Sequence, residues 1–259
     1  MHDPGTALIT GASSGIGATF ARRLAGRGHD LILVARRRDK LESLARQLED
    51  QYHITVEILI ADFTRREDIE NVADHIKNCR SLRVLINNAG FGISGHFLEN
   101  DVGKHLDMLS VHVTAIVILT HAALPGLMAR GGGDIINVSS VSAFLTGPGC
   151  VSYCATKAYV NSFTKSLHTE YKDKNIRLQA LCPGFTYTEF HDRPEIKNFN
   201  RTDIPGWLWL TSEKVVDLSL KALARGKVIY ITGWRYRIIT ELLCNRIIGP
   251  ILIKLFKRI

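Results

Sequence analysis

The sequence predicts a single α/β domain built on a parallel sheet with helices on both faces. Short apolar runs alternate with longer amphipathic stretches along most of the chain, the pattern of strands joined by helical crossovers. The runs Leu31-Ile32-Leu33-Val34 and Val84-Leu85-Ile86 are apolar throughout, as strands buried on both faces must be. The chain has 259 residues with 46% hydrophobic side chains and shows no internal repeat, which suits one such domain with a large core.

The first strand, over 6–10, runs straight into Thr10-Gly11-Ala12-Ser13-Ser14-Gly15-Ile16-Gly17. A helix follows over 15–27, with Ile16, Phe20 and Leu24 on one face. Strand, glycine turn and helix in that order let backbone N–H groups approach a pyrophosphate at a helix N-terminus. The same geometry also serves as a tight turn with no ligand. Further strands are predicted near 30–35, 54–60, 83–87, 133–138, 176–181 and 227–231. Helices are predicted at 38–50, 66–78, 101–129, 151–172 and 212–225. Gly131-Gly132-Gly133 ends the long helix, whose start is left open by Val102-Gly103.

Residues 185–211 break the alternation. They carry Phe185, Tyr187, Phe190, Phe199, Trp207 and Trp209 among charges, with Pro194 and Pro205. The segment follows the sixth strand, at the carboxyl edge of the sheet where ligands bind. It reads as a lid over a site or as a surface subdomain with its own aromatic core.

Tyr153-Cys154-Ala155-Thr156-Lys157 places a lysine one helical turn from a tyrosine. Side chains at this spacing share a face, and a positive neighbour favours the phenolate, so Tyr153 is expected to have a lowered pKa. Alone, the spacing also describes two surface residues. Ser140 lies upstream beside Ser139; adjacent strand residues face opposite ways, so only one can point at Tyr153.

The chain resembles the short-chain dehydrogenase/reductase family through Thr10 to Gly17, Asp62, Asn87-Asn88-Ala89-Gly90, Ser140, Tyr153, Lys157 and Pro183-Gly184, in the family's order and spacing. The resemblance covers residue 6 to about 190 and implies a Rossmann-like doubly wound sheet of about seven strands. It implies Tyr153 as general acid or base, Lys157 on the nicotinamide ribose, and Ser140, chosen over Ser139, holding the substrate oxygen. It implies residues 185–211 as the substrate lid. It also implies a cofactor cradle of Gly11, Ser13, Ser14, Gly15, Ile16, Gly17, Asp62 at the adenine, Asn88, Ala89, Gly90, Pro183, Gly184, Thr186 and Thr188. Asn87 reads as structural. The family has an asparagine in its long helix that positions a relay water, and alignment puts His112 there. A histidine can hydrogen-bond water, so His112 is expected either to substitute in the relay or to mark a weakened enzyme.

Cofactor choice follows from charge. An NAD site places an acid at the end of the second strand. Here the strand ends Val34-Ala35-Arg36-Arg37-Arg38, with no acid before Asp39. Arginine bonds phosphate with charge assistance, so Arg36, with Ser13 nearby, is expected to take the 2′-phosphate of NADP(H). Arg38 reads as a solvated helix start.

The formal charge of +8 is concentrated near the C-terminus: Arg235, Arg237, Arg246, Lys254, Lys257 and Arg258 stand against Glu241 alone. The remainder is mildly basic, which argues against a nucleic-acid partner. Residues 235–259 read as a basic amphipathic extension to a domain of 1–234. Ile238, Ile239, Leu242, Leu243, Ile247 and Ile248 recur at helical spacing, as do Ile251, Leu252, Leu255 and Phe256 after Pro250. Charges interrupt the segment too often for a transmembrane span. It suits peripheral contact with an anionic membrane or packing on a second subunit, and a homo-oligomer (dimer or tetramer) is expected.

Five cysteines without Cys-x-x-Cys spacing indicate reduced thiols, no metal site and a cytoplasmic protein. Cys150 and Cys154 read as core packing beside Tyr153. The first strand begins within six residues of the start, so no signal peptide is expected. The expected activity is NADP(H)-linked interconversion of a small hydrophobic ketone and its alcohol. An NADP-binding regulatory or scaffold protein is the alternative.

Overall fold

A computed structural model of the protein describes residues 4–192, 196 and 199–244. The predicted alternation is present. The first half contains β1 (Thr6–Thr10), α1 (Gly15–Ala25), β2 (Asp30–Ala35), α2 (Arg38–Tyr52), β3 (Val56–Ile60), α3 (Arg66–Asn78) and β4 (Leu82–Asn87). The second half contains α4 (Val102–Leu109), α5 (Ala115–Ala129), β5 (Gly133–Val138), α6 (Val151–Tyr171), β6 (Ile176–Cys182), β7 (Thr186–Tyr187), β8 (Leu210–Thr211), α7 (Ser212–Ala224), β9 (Ile229–Ile231) and α8 (Trp234–Cys244).

Seven strands form one sheet in the order β3-β2-β1-β4-β5-β6-β9, with every pairing parallel. The chain winds outward from β1 to β3, then returns to place β4 on the other side of β1. The winding reverses between β1 and β4, so the loops at their carboxyl ends diverge and leave a crevice, the ligand position of this topology. Successive residues of β1 point to opposite faces. Ala7 and Ile9 pack with Phe20, Leu24 and Leu41 on one side, and Leu8 packs with Ile69, Leu85 and Leu119 on the other. Burial of both sets explains the uniformly apolar run.

The long helix departs from regularity at its middle. Asp101 caps it by accepting the Gly103 N–H at 2.7 Å, which fixes the start despite Val102-Gly103. A π turn over Ser110–Thr114 then separates α4 from α5. Within Val102–Ala129 an 18-residue window reaches a mean hydropathy of 1.7, long and apolar enough to cross a membrane by composition, yet 56% of that window is buried. Its apolarity is that of a core helix: Leu119, Ala123 and Leu127 belong to the cluster on one face of the sheet. Asn137 is fully buried, so the Asn137-Val138-Ser139 sequon is no glycosylation site.

The insertion after β6 is stapled at its base. β7 pairs with β8, and the Leu210 N–H donates to the Phe185 carbonyl at 3.0 Å. Above that base His191 stacks on Phe199 at 4.7 Å, and Trp209 stacks on Tyr187 at 4.8 Å. The segment therefore has an aromatic core of its own. Tyr236 of α8 is buried; its hydroxyl accepts the Phe185 N–H at 2.9 Å and donates to the Leu208 carbonyl at 2.7 Å. Through Tyr236, α8 clamps both stems of the insertion. Pro194 and the tail residues Arg246 to Ile259 lie outside the described residues.

Candidate active site

The turn after β1 is shaped by its glycines and its neighbours. Gly11 has φ +65°, a left-handed conformation that favours glycine. A Cβ at Gly17 would meet the Gly11 carbonyl oxygen and, at 2.5 Å, Asn88 Nδ2. Asn88 is close because its amide donates to the Thr10 carbonyl at 2.9 Å and the Gly11 carbonyl at 3.2 Å. Thr10 Oγ1 in turn accepts the N–H groups of Asn88 and Ala89. The ends of β1 and β4 are thereby locked together beneath the N-terminus of α1, and the cradle left open in front of it fits a dinucleotide pyrophosphate.

A cleft of ≈ 300 Å³ runs from this turn across the sheet edge. It is lined by Gly11, Ser13, Ser14, Gly15, Ile16, Arg36, Asp62, Asn88, Ala89, Gly90, Ser140, Tyr153, Lys157, Pro183, Gly184, Thr186 and Thr188, the sequence-predicted set apart from Gly17 and His112. Gly17 lies behind the turn, where it permits close packing. Asn87 is buried away from the cleft, donating to Thr120 Oγ1 at 3.2 Å and Asn137 Oδ1 at 2.8 Å, as its structural reading requires.

Ser139 and Ser140 lie just past the end of β5, and both border the cleft. The Ser139 hydroxyl donates to the Lys157 carbonyl at 3.0 Å, while Ser140 hydrogen-bonds Tyr153. Lys157 Nζ lies 5.6 Å from the Tyr153 ring centroid and donates to the Val138 carbonyl at 3.0 Å. Burial pushes the Lys157 amine down to about 8. Burial pushes the Tyr153 phenol up to about 12, against the opposing Ser140 hydrogen bond. This corrects the expectation of a lowered tyrosine pKa: desolvation by burial outweighs the Ser140 hydrogen bond. Tyr153 is consequently a neutral phenol at physiological pH.

His112 also departs from expectation. It is fully buried on the π turn. Its Nε2 accepts the Phe91 N–H at 3.1 Å, so the proton of the neutral ring sits on Nδ1, 3.0 Å from Thr156 Oγ1. Both ring nitrogens are engaged by protein atoms, which argues against a water-relay role. The ring instead packs edge-on against Tyr153 at 5.7 Å.

At the other end of the cleft, the arginine beside Ser13 is Arg37, not Arg36. Arg37 donates to Ser13 Oγ at 2.9 Å and to Ser14 Oγ at 2.8 Å. Arg36 lines the same cleft and lies 3.4 Å from Asp62. Burial raises the Asp62 carboxyl, but Thr64 hydrogen bonds and Arg36 outweigh it and leave the group below its ordinary value. In a run of three arginines the sequence does not show which one turns toward the glycine turn. Phe190 and His191 also line the cleft. The Phe190 ring lies 6.0 Å from that of Tyr153. No spacing rule marked these two residues.

The sequence pattern of short chain dehydrogenases matches residues 5–197. The chain belongs to that family. It is 34% identical over 187 residues to the very-long-chain 3-oxoacyl-CoA reductase of Anas platyrhynchos, covering 71% of this chain and 60% of the relative. It is 32% identical over 184 residues to the inactive hydroxysteroid dehydrogenase-like protein 1 of Homo sapiens, covering 70% and 56% respectively. The chain thus spans between about half and two thirds of these relatives' lengths. Among solved structures it is similar to a short-chain dehydrogenase from Sphingobium yanoikuyae in complex with NADPH, with a TM-score of 0.84, 35% identity and 92% of each chain covered.

Proposed function

We propose that this protein is an NADPH-dependent reductase that converts a hydrophobic ketone into a secondary alcohol, the reverse oxidation using the same groups. The observation that carries this reading is the meeting of Ser140, Tyr153 and Lys157 in the cleft that begins at the glycine turn. Bound reduced nicotinamide supplies the hydride. Tyr153, a neutral phenol near pH 7, donates the proton to the carbonyl oxygen as charge develops there. Ser140 holds that oxygen and stabilises its charge. Lys157 reaches the ribose side of the cleft, and His112 acts as a positioning residue behind Tyr153. Arg36 and Arg37 hold the 2′-phosphate, and the NADPH-bound relative supports this choice. Residues 185–211 act as a substrate lid; Phe185, Phe190 and His191 give the cleft an aromatic wall, which suits an apolar substrate such as a 3-oxoacyl chain or a steroid.

A catalytically silent NADP-binding protein is the second reading, favoured by the relative described as inactive. A panel of ketones followed by absorbance of reduced cofactor separates the two. Tight NADPH binding with no turnover across the panel would favour the second.

Arg36→Ala and Arg37→Ala are each expected to weaken NADPH about ten- to hundredfold, a charge-assisted bond being worth about 1.5–3 kcal/mol, and to leave NADH nearly unchanged. Cofactor titration checks this. Equal losses for both cofactors would make either arginine a structural strut.

The described surface also offers partners. Val102, Leu106 and Leu109 of α4 and Val151 of α6 are exposed, a face that suits a second copy of the chain. The tail adds Arg246, Lys254, Lys257 and Arg258 among apolar residues, a composition suited to an anionic membrane. Deleting residues 245–259 is expected to leave NADPH binding intact and to change sedimentation or liposome flotation. No change in either assay removes both roles for the tail.

A further inference from the structure

The lid meets the 2′-phosphate end of the cleft through one carboxylate. Glu189 begins the short turn that follows β7. Its Oε2 takes Arg37 Nη1 at 2.7 Å and its Oε1 takes Lys40 Nζ at 2.6 Å. Arg37 at the same time holds Ser13 and Ser14 of the glycine turn, so one guanidinium ties the cofactor loop to the lid. We propose that Glu189 is a cofactor-selectivity latch: its carboxylate competes with the 2′-phosphate of NADP(H) for Arg37 and Lys40, closing the lid edge onto α2 when the ribose carries a hydroxyl and releasing it when the ribose carries a phosphate.

This rests on the NADP(H) reading of the same cleft. Three features support it. Lys40 and then Arg37 hold the Glu189 carboxyl down at about 2, so it is an anion at any working pH. The pairs are solvent-facing, with Glu189 48% exposed, and exposed ion pairs are weak enough to exchange. A phosphate monoester near neutrality carries about −1.5 to −2 charges and three acceptor oxygens, so it outcompetes one carboxylate for two cations.

The test is calorimetric binding of adenosine 2′,5′-bisphosphate (2′,5′-ADP) and of 5′-AMP, which differ only at the 2′ position. Wild type is expected to prefer 2′,5′-ADP. Glu189→Gln is expected to tighten 2′,5′-ADP about three- to tenfold and to leave 5′-AMP within about twofold. Hydrogen exchange of residues 185–192 in wild type is expected to rise with 2′,5′-ADP and not with 5′-AMP. Tightening equal for both nucleotides, or weaker 2′,5′-ADP binding in Glu189→Gln, overturns the latch while the cofactor reading stands. A wild type without preference for 2′,5′-ADP overturns the cofactor reading and the latch with it. Glu189 is too exposed for the substitution to threaten folding, and thermal melting of the variant verifies that.

Discussion

Tyr153→Phe is expected to lower turnover by a factor of about a hundred to ten thousand, the range for losing a general acid, with NADPH affinity kept within a few fold. The substitution removes one oxygen and leaves the ring. Edge packing against His112 at 5.7 Å and the approach of Phe190 at 6.0 Å survive. What disappears is the donor that Ser140 hydrogen-bonds. Because burial keeps this phenol near 12, it carries its proton throughout the neutral range. The reductive rate should therefore show no inflection from Tyr153 between about pH 6 and 8. The oxidative direction needs the phenolate and should rise with pH as the phenol ionises. Steady-state rates in both directions, with cofactor titration of the variant, check this. Near wild-type activity in Tyr153→Phe would remove Tyr153 from the mechanism and leave Ser140 as the next donor to examine.

Much of the fold was legible because its signals are local. Leu31 to Val34 had to be a doubly buried strand, and Gly11 to Gly17 had to be a turn into a helix. The choice of Ser140 over Ser139 came from the family resemblance; both serines follow β5 and border the cleft, and what tells them apart is that the Ser139 hydroxyl donates to the Lys157 carbonyl. The less legible features depend on which way a side chain turns in three dimensions. Arg36 and Arg37 are chemically alike, and the two are told apart by Ser13 and Ser14 lying within reach of one of them. His112 aligns with a relay position, but its role is decided by the Phe91 N–H and Thr156 hydroxyl that occupy its nitrogens. The π turn that presents it leaves no trace in hydrophobic periodicity, because one added residue shifts the pattern by less than a turn. Tyr236 sits in a segment whose composition read as a basic amphipathic extension; its clamp on the stems of the insertion is a contact over 51 residues.

The tyrosine pKa shows how an i+4 argument can mislead. Spacing brought Lys157 beside Tyr153, as predicted, but proximity alone does not decide which way the phenol shifts. With both groups buried, desolvation disfavours the phenolate and the ammonium together. Each then moves toward neutrality, one up to about 12 and the other down to about 8.

Lys157→Met is expected to separate stability from function. The lysine is buried, 5% exposed, and its amine is displaced from 10.5 to about 8. Between those values the unfolded chain binds the proton that the folded chain has lost, so wild-type stability rises with pH across that window. Below about pH 8 the native state carries the full burden of a buried charge. Methionine fills a similar volume without it, at the cost of the hydrogen bond to the Val138 carbonyl. The net expectation near pH 7 is a variant more stable by about 1–3 kcal/mol, the pKa displacement less about one hydrogen bond. That advantage should shrink as pH rises above 8 and be gone, or reversed, by the ordinary lysine value of 10.5. Turnover should fall at least about a hundredfold, because the ammonium on the ribose side of Tyr153 is gone. Denaturant unfolding of both proteins at a series of pH values, beside their steady-state rates, decides the matter. A stability difference that does not change with pH would show that Lys157 is not displaced by burial, and the electrostatic picture of the Tyr153 site would have to be rebuilt around a charged lysine.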